Sequence, residues 1–218
     1  MYARMKKNVL LITLINILMT TGINAQSLRQ MWLAMPDSLT PYLNQNHRSM
    51  LLDYYEMGGD KEIKNVFEGI SRIDTLARDF ISVQLSNAVS LQIAMLPNET
   101  GDSLACVVRT FQSPARESEV SIYSHNWELI QQVSIDSDSL FSCPDTMSTV
   151  RFVELKELLK PRMTYATYSP VDNMLTFCLS IPFIFSDDKE ELKNILLQRN
   201  LKWDGKMFKE CYIANKNN

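Results

Sequence analysis

Histidine is nearly absent from this chain of 218 residues: His47 and His125 are the only two. That scarcity restricts imidazole metal sites and histidine acid–base chemistry to a pair of positions. Glycine (6) and proline (8) are also few, which excludes collagen-like and Pro/Gly-rich low-complexity architectures. No excess of positive charge exists either. A formal charge of −3 offers no general attraction to nucleic acid or anionic lipid, so nucleic acid is not expected as a partner. The four cysteines form no C-x-x-C pair, which argues against a zinc ribbon or a thioredoxin-type redox motif. H-E-x-x-H, P-loop, G-x-S-x-G and G-x-G-x-x-G are missing too, and no cofactor is implied. A serine triad would have to recruit His47 or His125 without an elbow to present its nucleophile. What is present is 45% hydrophobic, 22% charged and 9% aromatic, the composition of a globular chain and not of a disordered one.

The N-terminus has a three-part pattern. Arg4, Lys6 and Lys7 precede an apolar run, Val9 to Thr21, interrupted only by Thr13, Asn16, Thr20 and Thr21. Gly22-Ile23-Asn24-Ala25-Gln26 follows, with small Ala25 before the expected cut. This predicts a cleavable export signal over residues 1–25. The apolar run falls short of the roughly 20 residues that span a bilayer, and no lipid-accepting cysteine follows it. Cleavage removes three positive charges and takes the net charge from −3 to −6. No second long apolar run appears, so no transmembrane span is expected after cleavage. Cys106 and Cys178 lie in apolar, strand-like contexts and read as small hydrophobes. Cys143, beside Pro144 in a polar loop, is the candidate for a disulfide with an unspecified partner.

Residues 26–218 read as a single α+β domain, helical over 27–68, strand-rich over 69–185, with a helix and hairpin over 186–218. Leu28, Met31, Trp32 and Met35 recur at helical spacing up to Pro36, and Asp37-Ser38 offers a cap for a short helix through Leu43. Asn46 is the expected cap of the next helix, about His47 to Met57, with Met50, Leu51, Tyr54 and Tyr55 as its apolar positions. From about Gly69 the period falls to two. Strands are expected at 80–85, 89–96, 104–111, 120–123, 129–133, 163–168 and 174–181, mainly as an antiparallel sheet with hairpins at Pro97–Asp102 and Ser169–Asn173. A brief helix is expected from Val153 to Lys160. Another follows a cap at Ser186-Asp187-Asp188, and an Asp204-Gly205 hairpin ends the fold.

Met35-Pro36-Asp37-Ser38-Leu39, Pro41-Tyr42-Leu43, Leu51-Leu52-Asp53-Tyr54-Tyr55-Glu56, Leu91–Pro97 and Tyr123–Leu129 together resemble a secreted family of Bacteroides-type bacteria, domain of unknown function 3256. The resemblance covers most of the chain after the signal. It implies export into a Gram-negative envelope, in the periplasm or at the outer cell surface, and no catalytic residue follows from it. In that setting a short pattern stands out. Asp, then Ser or Thr, then an aliphatic residue recurs with Ser38, Thr75, Ser103, Ser139 and Thr146 in the middle. The pattern resembles the O-glycosylation acceptor of such bacteria, although Asp-Ser and Asp-Thr also serve as ordinary turn and cap residues.

Chemistry has few other footholds. Glu117/Glu119 and Asp136/Asp138 are the carboxylate pairs that a cation or a hydrolytic mechanism would need, with solvated loops as the plainer reading. Arg199, Lys202, Lys206 and Lys209 around Trp203 read as the solvated surface of a hairpin. Met163–Tyr168 and Phe183-Ile184-Phe185 belong to a packed core or to the wall of an apolar pocket. The sequence thus supports an exported, non-enzymatic envelope protein that binds a protein partner or apolar ligand through its sheet. The alternative is an exported hydrolase of glycan or peptide, which needs two carboxyl groups about 5–10 Å apart in a cleft, with His125 as a further candidate.

Overall fold

The computed structural model describes residues 27–58, 62–98, 103–112, 115–181 and 188–211. The expected signal, the 99–102 turn and Phe183-Ile184-Phe185 lie outside the described residues. Helix α1 (Leu28–Ala34) starts with a reciprocal cap: Ser27 Oγ accepts from the Gln30 N–H, and the Gln30 side chain accepts from the Ser27 N–H. Leu28, Met31, Trp32 and Met35 are buried as their spacing requires. Asp37-Ser38 caps no longer helix, and only a 3-10 turn forms over Asp37–Leu39. The Asp37 carboxylate instead meets Arg48 at 2.8 Å. Helix α2 (Gln45–Glu56) is capped by Asn44 and not by Asn46, with Asn44 Oδ1 accepting from the His47 N–H at 3.0 Å. That frame buries Arg48, Leu51 and Leu52 and leaves Met50 exposed, which corrects the expected stripe. Gly58 ends the helix at φ +78°, a conformation that L side chains rarely adopt.

Strands β1 (Ile63–Lys64), β2 (Ile70–Leu76), β3 (Phe80–Ser86), β4 (Val89–Pro97), β5 (Ser103–Phe111), β6 (Glu117–Tyr123) and β7 (Leu129–Val133) form a seven-stranded antiparallel meander in chain order. Helix α3 (Thr149–Leu158) starts earlier than expected, because Ser148 Oγ accepts from the Arg151 N–H. Strands β8 (Thr164–Ser169), β9 (Met174–Leu179), β10 (Arg199–Trp203) and β11 (Phe208–Glu210) make a second sheet ordered β11-β10-β9-β8. Helix α4 (Lys189–Ile195) links β9 to β10, and Asp188 makes no side-chain cap because its carboxylate binds Arg151 at 2.5 Å. The fold is α+β with N-terminal helices, mainly antiparallel sheet, and a C-terminal helix and hairpin.

Period-two alternation gives the meander two buried faces. On one face Ile81, Val83, Leu91, Ile93, Ala105 and Val107 pack with Met31, Trp32, Leu51 and Leu52 of the helices. On the other, Phe80, Leu96, Cys106, Val108, Val120 and Ile122 pack with Ala166, Tyr168, Leu175 and Phe177 of the second sheet. Leu140, Phe141, Leu155, Leu159, Leu179, Leu192 and Ile195 form a third cluster, with α3 and α4. The molecule is therefore layered as helices, meander and second sheet.

Candidate functional site

Strand β8 is the last strand of the second sheet and lies against the meander, and its alternation splits two tyrosines between two faces. Tyr168 turns inward. Its ring stacks on Phe80 with centroids 6.1 Å apart, its hydroxyl lies 3.3 Å from Asn173 Oδ1, and its N–H donates to Gln92 Oε1 at 3.0 Å. Burial, with Cys106 nearby, pushes the Tyr168 phenol up to about 12. Burial pushes the Cys106 thiol up to about 12 as well, so both groups are neutral spectators at ordinary pH. A cavity of about 280 Å³ opens at this end of β8, lined by Arg78, Asp79, Phe80, Met95, Tyr168 and Asn173 among others.

Tyr165 lies on the opposite face, directly across from Cys178 on β9. Burial raises both groups, most strongly opposed at the Cys178 thiol by the Tyr165 hydroxyl. The Arg116 guanidinium carbon, from the β5–β6 connection, stands 3.9 Å from the centre of the Tyr165 ring. The Ser180 hydroxyl donates to the Arg116 carbonyl, and the Ser180 N–H to Met163 O at 2.8 Å. A cavity of about 320 Å³ results, lined by Gln112, Arg116, Tyr165, Leu179, Ser180 and Ile181. A third cavity, of about 260 Å³, lies beside β2 with Glu62, Ile70 and Arg72, and Arg72 is neutralised by Asp74 at 2.9 Å and Glu62 at 3.5 Å.

The residues singled out from sequence fall elsewhere. Glu117 and Glu119 are exposed on β6, with Glu119 3.4 Å from Arg109. Asp136 Oδ1 accepts from the Asp138 N–H, while Lys156 at 2.9 Å and Arg162 at 2.7 Å flank the Asp138 carboxylate. The Lys156 hydrogen bond is the larger cause of its lowered pKa. His47 is half-buried in the first turn of α2 with Nδ1 unpartnered, and His125 is exposed in the β6–β7 turn. Neither histidine lines these three cavities. The basic hairpin is partly neutralised from within, by Lys209–Asp204 at 2.6 Å and Arg199–Glu210 at 3.0 Å.

Each of the four cysteines is a free thiol, and Cys143 is exposed, 3.8 Å from the carbonyls of Pro144 and Met147. Of the five Asp-Ser/Thr positions, Ser38, Thr75 and Thr146 are exposed. Ser103 and Ser139 are half-buried, and Ser139 Oγ donates to Asp136 O at 2.6 Å. Among the described residues, no group of three or more His, Cys, Asp or Glu side chains is arranged to hold a metal ion. No described helix is long and apolar enough to cross a membrane. Sequence reasoning missed Arg116, and it held Tyr165 only as part of the Met163–Tyr168 run assigned to a packed core or the wall of an apolar pocket. Tyr165 was signalled only by its odd position in the β8 alternation, and Arg116 only by the connection between two strands.

These features define a layered α+β protein with cavities at both ends of the terminal strand of its second sheet. Residues 20–208 match the family described as protein of unknown function (DUF3256), and the chain belongs to that family. The fold is similar to the structure of a domain of an uncharacterized protein from Porphyromonas gingivalis W83, with a TM-score of 0.68 and 20% identity. That match covers 85% of this chain and 98% of the other, and it shows the fold alone. No curated protein matches the chain.

Proposed function

We propose that this protein is an exported component of a Gram-negative cell envelope that works by binding, holding a partner or apolar ligand along the edge of its second sheet. The observation that carries this reading is the pair of cavities flanking β8, each walled by a tyrosine and apolar side chains. A carboxylate-dependent hydrolase, the alternative the sequence offers, needs two carboxyl groups facing each other across a cleft. Among the described residues Asp79 is the single carboxylate lining the first cavity, and none lines the second, which supports binding over a paired-carboxylate mechanism at these two cavities. The basic n-region and short apolar run support export.

The test is the mass of the protein taken from its native host, under native and then denaturing conditions. The expected polypeptide begins at Gln26, and the native species carries extra mass that is lost on denaturation. Sugar, where present, is expected on the exposed Ser38, Thr75 and Thr146 in preference to Ser103 and Ser139. Turnover of glycan or peptide substrates that Asp79→Asn abolishes would overturn the binding reading. A polypeptide still starting at Met1 would overturn export by signal cleavage.

A further inference from the structure

Nine arginines stand among the described residues, and eight of them have a carboxylate within 4.0 Å. Arg116 is the exception among the described residues. Its chain neighbour Glu117 makes no ion pair with it, and Glu119, two residues on, is taken by Arg109. In an acidic chain that has matched its other described guanidinium groups, one unmatched cation at the rim of a cavity is an unsatisfied charge with a direction. A guanidinium stays ionised throughout the accessible pH range and offers five N–H donors in a planar fork suited to a carboxylate.

The surroundings fix that fork in place. The Tyr165 ring supports the guanidinium at 3.9 Å, and the Ser180 hydroxyl ties down the Arg116 carbonyl. Gln112 is anchored by its N–H to Ala88 O at 2.8 Å and by Nε2 to Ser90 Oγ at 3.2 Å, which leaves its side-chain oxygen as an acceptor at the same rim. Ile181, 39% exposed, and Ala115 supply an apolar wall, while the Leu179 side chain turns away into the third core cluster. The volume of about 320 Å³ lies at the small end of the range for organic ligands.

We propose that this cavity binds a carboxylate carried on a short aliphatic body, with Arg116 receiving the carboxylate and Ala115 and Ile181 the body. The proposal rests on the binding reading above and names the ligand chemistry for one end of β8. A body of about six carbons fits the volume. Such a carboxylate comes either from a free aliphatic acid or from the C-terminus of a peptide ending in an aliphatic residue.

The experiment is a calorimetric titration of the intact protein with hexanoate, hexanamide, N-acetylglycylleucine and the C-terminal amide of that dipeptide. Saturable binding of at least one carboxylate is expected, with its neutral amide about tenfold weaker or worse, because a charge-assisted pair is lost. Arg116→Gln is expected to weaken the carboxylate about tenfold, and Arg116→Lys to retain part of the affinity, with the melting temperature unchanged because the side chain is exposed. Tighter hexanoate points to a free acid, and tighter dipeptide to a chain terminus. No saturable binding of either carboxylate, equal binding of the amides, or indifference to Arg116→Gln overturns the proposal. If native mass then still shows a bound species, and Arg116→Gln retains it, the general binding reading stands while this assignment falls.

Discussion

Arg48 lies inside the helix layer at 2% exposure, donating to Met35 O at 2.5 Å, Leu43 O at 2.6 Å and Asp37 Oδ1 at 2.8 Å. It holds the irregular 35–43 segment against α2 by satisfying carbonyls that water cannot reach. Arg48→Ala is expected to cost about 2–4 kcal/mol, because two buried acceptors lose their donors. Asp37→Ala, at the exposed end of the same network, is expected to cost about 0–1 kcal/mol. Urea denaturation of both variants checks the contrast.

Cys106 and Tyr168 give a pH signature. Burial raises each from its ordinary value, 9.0 and 10.0, to about 12. The unfolded chain releases these protons first, so it binds fewer protons than the folded chain between about pH 9 and 12, and stability falls as pH rises through that window. A Cys106→Ala/Tyr168→Phe double variant is expected to flatten the decline, measured as urea midpoint against pH. Of these side chains the sequence signalled Cys106 and Tyr168, through their apolar strand contexts, and Asp37 as a cap, but not Arg48. An arginine in an amphipathic helix reads as solvated, and nothing local reveals that a carbonyl-rich bend waits above it.

At the scale of elements, alternation and caps were legible where one residue decides them. The α1 stripe and the runs of β3 to β5 were visible because burial follows period directly. Helix starts were less legible. Two asparagines stand two positions apart at the head of α2, and the residue that precedes the first turn, Asn44, is the one whose oxygen reaches the His47 N–H. Asn44→Ala is therefore expected to lower stability by about 1 kcal/mol, and Asn46→Ala, exposed within the first turn, by a few tenths at most. Chemical denaturation of the pair measures the difference. The two-residue β1 was illegible because no period fits in two residues, and the β9–β10 pairing because α4 intervenes between the partners. The Arg116 cavity was hidden for a similar reason: Arg116 and Tyr165 are brought together only when β8 crosses the meander.

At the scale of the whole molecule, the meander belongs to both large cores at once. Strands β3 to β6 contribute side chains to the helix face and to the second-sheet face, so neither core can open without loosening the other. The third cluster has seven buried side chains among the described residues, and Ile135 packs against both it and the second-sheet core. Native-state hydrogen exchange in rising urea is expected to show the amides of β3 to β6 exchanging only through global unfolding. Those of α3 and α4 are expected to exchange earlier, by a local opening. A single isotherm for all these elements would contradict the layered organisation.

The order of the meander has a consequence for how fast the molecule assembles. Each of its strands finds its partner in the adjoining stretch of sequence, so every step closes a short loop and loses little chain entropy. The second sheet must reach back across earlier strands, as the contacts of β8 with Gln92 and Ser118 and of the Trp203 indole with Pro97 O record. The first seven strands are thus expected to form the rapid phase of refolding and the docking of the second sheet the slow one, which stopped-flow fluorescence of the Trp203 indole against amide protection of β3 to β6 would measure. A chain that emerges N-terminus first can complete the sheet from Ile63 to Val133 before Thr164 has been made.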